Sequence, residues 1–479
     1  MTSDKHQRPL SAEAIKVLCS AIESETGCRY DVDGLDVPFD DLALDALSIM
    51  HVLEEVQDRA GIELPAAVFR DCANLSELVN KLGGANNGAS STSLGGQQLV
   101  RSAFASTNQL LAAIEHEAGC SNFWTDVHPD QMRLVRAYIN ESFARLGASL
   151  IDMAPGTPLS HPPAVLAKHH RVLDGAIYDI LRDGGLVERR QGDGRYIRTA
   201  RPVDPTPSET LYKNLLRDHP QHANTHRLLN ATGAQFAECL TGQADPIKIL
   251  FGKPVNKELL QDFYTNAPMS VAASKLLVAT LRTVFSQITQ AQSRPVEILE
   301  VGAGMGGTTK FVLDMLVEAR IPFRYIFTDI SASFFPSAKK RFQPYVDAAA
   351  SGSAVDYVVL DIEQTPPPRH LQSRFDAVIS TNCIHATRDL VVSCSNARRL
   401  LRPGGFFALV EFTTRLYWLD LVFGLLDGWW LFEDGRTHCT ADEMAWKKKL
   451  DASGFDHLLW VEDGGRKPNP QLMIACTAD

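Results

Sequence analysis

The chain has 479 residues, 45% hydrophobic and 22% charged, with a formal net charge of -10, a length that predicts about two to four domains rather than one core. The acidic balance lacks the Lys and Arg excess needed to neutralise a phosphate backbone, which argues against nucleic acid as a partner. The opening MTSDKHQRPL puts charge and proline where a secretory signal needs an apolar stretch, and no uninterrupted apolar run approaches a span of about 18 residues, so a cytoplasmic protein with no membrane partner is expected.

In chain order, residues 1–82 carry helical apolar spacing at SAEAIKVLCSAIE, ALDALSIMHVLEEVQDRAG and NLSELVNKLG, which predicts a small N-terminal helical bundle. Its segment DDLALDALSIMHVLEEV resembles an acyl carrier domain, whose second helix starts Asp-Ser-Leu and whose serine takes a phosphopantetheine arm. Here the triplet is Asp45-Ala46-Leu47, and alanine has no hydroxyl. Ser48 lies two residues further on, rotated by about 200° around a helix. The bundle is therefore expected to be a degenerate carrier kept for docking or solubility.

Residues 83–98, GGANNGASSTSLGGQQ, are rich in Gly, Ser and Asn without hydrophobic period and read as a linker, with its end placed at 104. From 105 to 290 the pattern is helical, clearest at LVRAYINESFARLG and HRVLDGAIYDILRDGGLVERRQGDGRYIRT. The turn at Asp183-Gly184-Gly185 and a Gly-containing hairpin suggest a winged-helix-like subdomain. Its second helix, AIYDILRDG, is not basic, so the expected role is a lid or substrate subdomain rather than a reader of DNA. Pro254 and the segment DFYTNAPMS are expected to interrupt the helices.

Residues 291–479 read as an α/β core. The apolar run VEILEV (296–301) passes through GAGMGG into a helix: a strand, a tight turn and a helix, with Gly302 and Gly304 letting backbone approach a ligand closely. Gly302, Gly304 and Gly307 also satisfy the dinucleotide fingerprint GxGxxG, a weak signal alone. Glu300, two residues before the first glycine, stands where methyltransferases place a carboxylate near the cofactor's methionine ammonium, whereas a dinucleotide presents pyrophosphate there. FRYIFTD ends in Asp329, suited to ribose hydroxyls, and VDYVVLDIE ends in Asp361, suited to an adenine amino group with Ile362 against the ring. FDAVISTNCIHAT follows, with Asn382 past the strand end. The closing segments HLLWVEDGG and QLMIACTAD read as a terminal antiparallel hairpin, the mark of a seven-stranded Rossmann-like methyltransferase sheet. The nine cysteines are scattered with no CxxC or CxxH pair, so no metal site is expected.

The motifs ILEVGAGMGGTT, FTDIS, NCIHAT, LRPGGFFALVE and LLDGWWLFEDGR make residues 105–479 resemble the C-methyltransferase domain found inside fungal polyketide synthases. That resemblance implies S-adenosylmethionine as cofactor, a catalytic His385–Glu411 pair that deprotonates a carbon between two carbonyls, and Tyr264 at the cofactor site. Trp429 and Trp430 are candidate walls of the substrate cavity. With no synthase domains alongside and a carrier that cannot be loaded, the expected acceptor is a freely diffusing small-molecule carboxylic acid, methylated on oxygen in fungal secondary metabolism. Carbon methylation in trans of a polyketide on a partner synthase's carrier is the alternative, and a non-catalytic docking partner is a third reading.

Overall fold

A computed structural model describes residues 96–292 and 294–477, with isolated positions at 17, 20–22, 24, 51, 52 and 59. The chain divides into Met1–Thr92 and Ser93–Asp479. In the first unit Val17, Ala21, Ile22 and Val52 are buried; the expected bundle as a whole, the triplet Asp45-Ala46-Leu47 and Ser48 lie outside the described residues.

The second unit opens with helix α1 (Gly96–Ala118), which corrects the linker boundary at 104. Leu99, Val100, Ala103, Phe104, Thr107, Leu111 and Ile114 recur at helical spacing and are buried. The polar residues between them hid this stripe from a reading by composition. The helical subdomain continues with α2 (His128–Arg145), α3 (Tyr178–Asp183), α4 (Ser208–Asp218), α5 (Ala223–Gly233), α6 (Phe236–Thr241), α7 (Pro254–Asn266) and α8 (Pro268–Gln292). The hairpin is present as β1 (Val187–Arg189) and β2 (Tyr196–Arg198), paired antiparallel. The helical run is interrupted at Pro254 as expected: a helical segment Lys248–Gly252 ends at extended Lys253, and Pro254 starts α7, because a first-turn proline gives up an N–H that has no partner there. A second break falls at Ala267, just before Pro268. By length and composition α8 could cross a membrane, yet 56% of its apolar window is buried inside the protein, and the Thr280 and Thr107 hydroxyls bond at 2.8 Å to join α8 and α1.

The core sheet comprises β3 (Val296–Val301), β4 (Phe323–Asp329), β5 (Ala354–Val359), β6 (Phe375–Thr381), β7 (Leu401–Glu411), β8 (His457–Trp460) and β9 (Gln471–Cys476). Its order is β5-β4-β3-β6-β7-β9-β8, and β9 alone runs against its neighbours β7 and β8. Both faces are covered, so the central strands are apolar throughout: Ile298, Ala377, Ile379 and Ala408 enter one core, while Leu299, Val301, Val378 and Phe407 enter the other. Helices α9 (Gly307–Glu318), α10 (Phe335–Ala348), α11 (Leu390–Leu400), α12 (Tyr417–Val422) and α13 (Glu443–Ala452) complete the second unit. Chain order reverses between β3 and β6, which opens a crevice at the C-terminal ends of the strands.

Candidate active site

The glycine turn after β3 has left-handed backbone at Gly302 (φ +66°) and Gly304 (φ +54°). A Cβ on Gly302 would strike Cys383 Sγ at 2.2 Å, so the turn and the β6 end need glycine to close together. A Cβ on Gly304 would meet nothing nearer than 3.9 Å; it faces open space at the crevice. Asp329 ends β4 and anchors this turn, its Oδ2 accepting from Gly304 N at 3.0 Å and its Oδ1 from Ser331 N at 2.8 Å.

Glu300 is 2% exposed, and its Oε2 accepts from Thr309 Oγ1 at 2.5 Å and Tyr325 OH at 2.6 Å. Burial pushes its carboxyl up to about 7 against the lowering effect of those two hydroxyls. A carboxylate with only neutral donors around it is an anion short of a cation. Thr309 and Tyr325 were not singled out from the sequence.

One expected position differs in detail. Strand β5 stops at Val359, so Asp361 lies in the turn beyond, where its Oδ1 accepts from Glu363 N at 3.0 Å; Asp and a following turn compete with the ladder in this way. Ile362 is buried, and its carbonyl accepts from Asn396 Nδ2 at 2.8 Å. Asn382 has φ +48°, donates its backbone N–H to Val410 O at 2.8 Å, and leaves a buried Oδ1 without a donor among the described residues. Tyr264 sits near the end of α7, its backbone carbonyl against Gly307 at the start of α9. Burial raises its phenol pKa well above the ordinary value, with Cys383 and Glu411 adding to the effect.

His385 and Glu411 are brought together. Glu411 ends β7, and His385 sits in a short turn, Ile384–Ala386, after β6. The imidazole Nδ1 lies 2.5 Å from Glu411 Oε2, and Glu411 Oε1 accepts the backbone N–H groups of Cys383 and His385 at 3.3 Å each. Glu411 is fully buried and His385 7% exposed. Burial disfavours the imidazolium, but the adjacent Glu411 charge outweighs it and holds the His385 pKa well above the ordinary value. Nδ1 is committed to Glu411, and Cys439 also lies within hydrogen-bonding reach of the imidazole and adds to the rise.

The two tryptophans part company. The Trp429 ring meets His385 edge to face at 5.6 Å, and its Nε1 donates to Asp420 at 3.1 Å. Trp430 turns toward the helical subdomain: a Cβ on Gly175 would meet its ring at 2.7 Å, and its Nε1 donates to Gly424 O at 2.7 Å. Behind Trp429 lies a buried cluster missed in the sequence. Asp420 Oδ1 accepts from His438 Nε2 at 2.7 Å, and Oδ2 accepts from Arg415 Nε at 3.2 Å. Thr440 N donates to His438 Nδ1 at 3.1 Å, so the His438 proton sits on Nε2 and both ring nitrogens are occupied. His438 therefore holds Asp420, and through it Trp429, in place.

Residues 105–193 match the family model described as "Methyltransferase, Helix-turn-helix domain", residues 299–407 the "Methyltransferase domain" model, and residues 16–82 the "Phosphopantetheine attachment site" model. Over 458 residues the chain is 50% identical to the polyketide methyltransferase ustM of Ustilaginoidea virens, with 95% of this chain and 98% of that one covered. It is 43% identical over 360 residues to the 5-methylorsellinic acid synthase of Aspergillus terreus, covering 75% of this chain but spanning only 13% of that synthase. Among solved structures, the CMeT domain of the citrinin polyketide synthase superposes with a TM-score of 0.72 at 33% identity, covering 81% of this chain and 100% of that domain.

Proposed function

We propose, from the premise that this chain belongs to the S-adenosylmethionine-dependent polyketide methyltransferases, that it methylates the activated carbon between two carbonyls of a carrier-bound polyketide. The observation that carries this reading is the His385–Glu411 pair at 2.5 Å, which commits Nδ1 to the carboxylate and makes Nε2 the nitrogen that takes a proton.

The residues at the crevice fit the cofactor. Open space at Gly304, the orphaned Oδ1 of Asn382 and the buried carboxyl of Glu300 suit a ligand with an amino-acid ammonium and hydroxyl donors. Glu300 would complement the ammonium, Asp329 the ribose, and Asp361 with Ile362 the adenine. When bound, S-adenosylmethionine would supply an electrophilic methyl on a sulfonium, whose sulfur keeps the S–CH3 electron pair and leaves as the neutral thioether S-adenosylhomocysteine.

His385 Nε2 takes the acceptor's proton from carbon, and the electron pair of that C–H bond forms the new carbon–methyl bond. The proton stays on Nε2 until solvent removes it. Glu411 fixes the Nδ1–H tautomer and offsets the charge of the imidazolium. Trp429 presents its edge to the imidazole ring and so borders the path to Nε2.

Carboxyl O-methylation, the first expectation from sequence, has less support. An ionised carboxylate has no proton to lose, so a base backed by a buried carboxylate adds nothing to its nucleophilicity. One observation still favours it as a second reading: a His385 held protonated could anchor an acid by a charge-assisted hydrogen bond. The similarity to a polyketide synthase CMeT domain supports carbon. With alanine at position 46 of its carrier-like segment, the protein meets the acceptor on another protein's carrier. Incubation with methyl-13C-labelled cofactor and either a carrier-bound β-ketoacyl thioester or free polyketide acids tests the choice by NMR. Carbon-bound methyl on the thioester is expected; methyl esters of the acids as the sole products would contradict it.

A further inference from the structure

The turn that carries His385 has no regular ladder to hold it. Glu411 grips its N–H side, accepting from the backbone of Cys383 and His385. The carbonyl side is gripped by a residue from a distant loop. Arg436 Nη1 donates to His385 O at 2.8 Å and to Cys439 O at 3.1 Å, and Nη2 donates to Thr387 O at 2.7 Å. The turn's own hydrogen bonds use the carbonyls of Cys383 and Ile384, which leaves that of Thr387 to the guanidinium and that of His385 to the guanidinium together with Cys439 Sγ at 3.5 Å.

Arg436 is itself held. Its Nε donates to Asp434 Oδ1 at 2.8 Å, and Lys449 Nζ approaches Asp434 Oδ2 at 3.1 Å. The side chains of Arg436 and Asp434 are 6% and 2% exposed. The guanidinium lies over the Phe432 ring at 5.3 Å, and Arg171 of the helical subdomain lies over the same ring at 5.4 Å. A planar fork of donors can span three carbonyls in fixed directions, which a single ammonium cannot.

We propose that Arg436 is a positioning residue for the methyl transfer: it locks the carbonyl side of the Ile384–Ala386 turn so that His385 keeps its contact with Glu411 and aims Nε2 at the acceptor carbon. This rests on His385 acting as the base. The donors of Arg436 are spent on backbone carbonyls and Asp434, so its effect passes through His385.

The test uses the full-length protein, its carrier-bound acceptor and four variants: Arg436→Gln, Arg436→Lys, His385→Ala and the double variant His385→Ala/Arg436→Gln. Arg436→Gln should lower kcat by ten- to a hundredfold, with the dissociation constant of S-adenosylhomocysteine changed less than twofold. Removing a nearby cation would by itself raise the imidazole pKa, whereas loosening the His385–Glu411 contact lowers it. The rising limb of the pH–rate profile should therefore move to lower pH. Arg436→Lys keeps the charge without the fork and should stay below a tenth of wild type. In the His385→Ala background, Arg436→Gln should add no further loss, as expected for residues acting as one unit. Full activity in Arg436→Lys, a limb moving to higher pH, or additive losses in the double variant would each overturn the proposal. If Arg436→Gln fails to fold, Arg436→Lys and its pH profile decide alone. His385→Ala with wild-type activity would remove the base reading itself; His385→Ala inactive beside an unimpaired Arg436→Gln would remove only the role of Arg436.

Discussion

The imidazole of His385 is held well above its ordinary pKa because the Glu411 charge outweighs burial. A base acts in its deprotonated form, so a raised pKa leaves it protonated through neutrality, and the rate should climb with pH above about 6.5 rather than level off there. Glu411→Gln removes the charge that raises it. That variant should shift the rising limb of kcat/KM toward lower pH and lower the plateau, since loss of base support typically falls within the 10²- to 10⁴-fold range for general catalysis. A pH–rate profile of the two proteins reads both effects; an unmoved limb would detach Glu411 from the base. At this scale the sequence was legible only through motif resemblance: NCIHAT and ALVEF pointed to His385 and Glu411. Asp420, Arg415 and His438 carry no local signature, because their buried cluster forms only when the loops beyond β7 fold over the helical subdomain.

At the scale of elements, the β3 turn depends on Asp329, which holds Gly304 N and Ser331 N at once. Asp329→Ala should weaken S-adenosylhomocysteine binding by about 1–3 kcal/mol, the usual cost of stranding buried donors, and calorimetry measures it directly. The central strands were readable because continuous apolar runs followed by turn residues mark buried parallel strands, and the reversed last strand was expected from the closing hairpin segments; the strand order came only with the structure. Helix α1 was not, since its start lies in a stretch of Gly, Ser and Gln where composition outweighs a sparse apolar stripe. Helix α5 and the turn before it bury His222 and His226, whose Nε2 atoms lack partners. Burial, helped by His219, lowers the His222 pKa to about 4, and burial with His222 and His219 lowers that of His226 to about 3. Above pH 6.5 both folded and unfolded chains carry them neutral, at no cost. As pH falls from about 6.5 toward those depressed values only the unfolded chain gains the protons, so stability should fall across that window. Thermal unfolding of His226→Phe should show a flatter decline than wild type between pH 6.5 and 4.5.

For the whole molecule, the residues assigned to chemistry all lie in Ser93–Asp479, so catalysis on a small acceptor is expected to need only that unit. A chain starting at Ser93 keeps all of α1, whereas one starting at residue 105 would strip Leu99, Val100, Ala103 and Phe104 from the core. The first should turn over a small β-ketoacyl thioester at the full-length rate, and the second should unfold at a lower temperature by scanning calorimetry. The helical stretch and the α/β core were legible from hydrophobic period; the choice between oxygen and carbon was not, because it turns on whether one histidine removes a proton or only donates one. That choice can be measured without methyl transfer. With S-adenosylhomocysteine bound and deuterium oxide as solvent, a base aimed at the acceptor carbon must exchange the proton between the two carbonyls. Wild-type protein should incorporate deuterium there faster than the uncatalysed background, and His385→Gln should not. Methylation that proceeds with no catalysed exchange, or exchange that persists in His385→Gln, would contradict carbon deprotonation by His385.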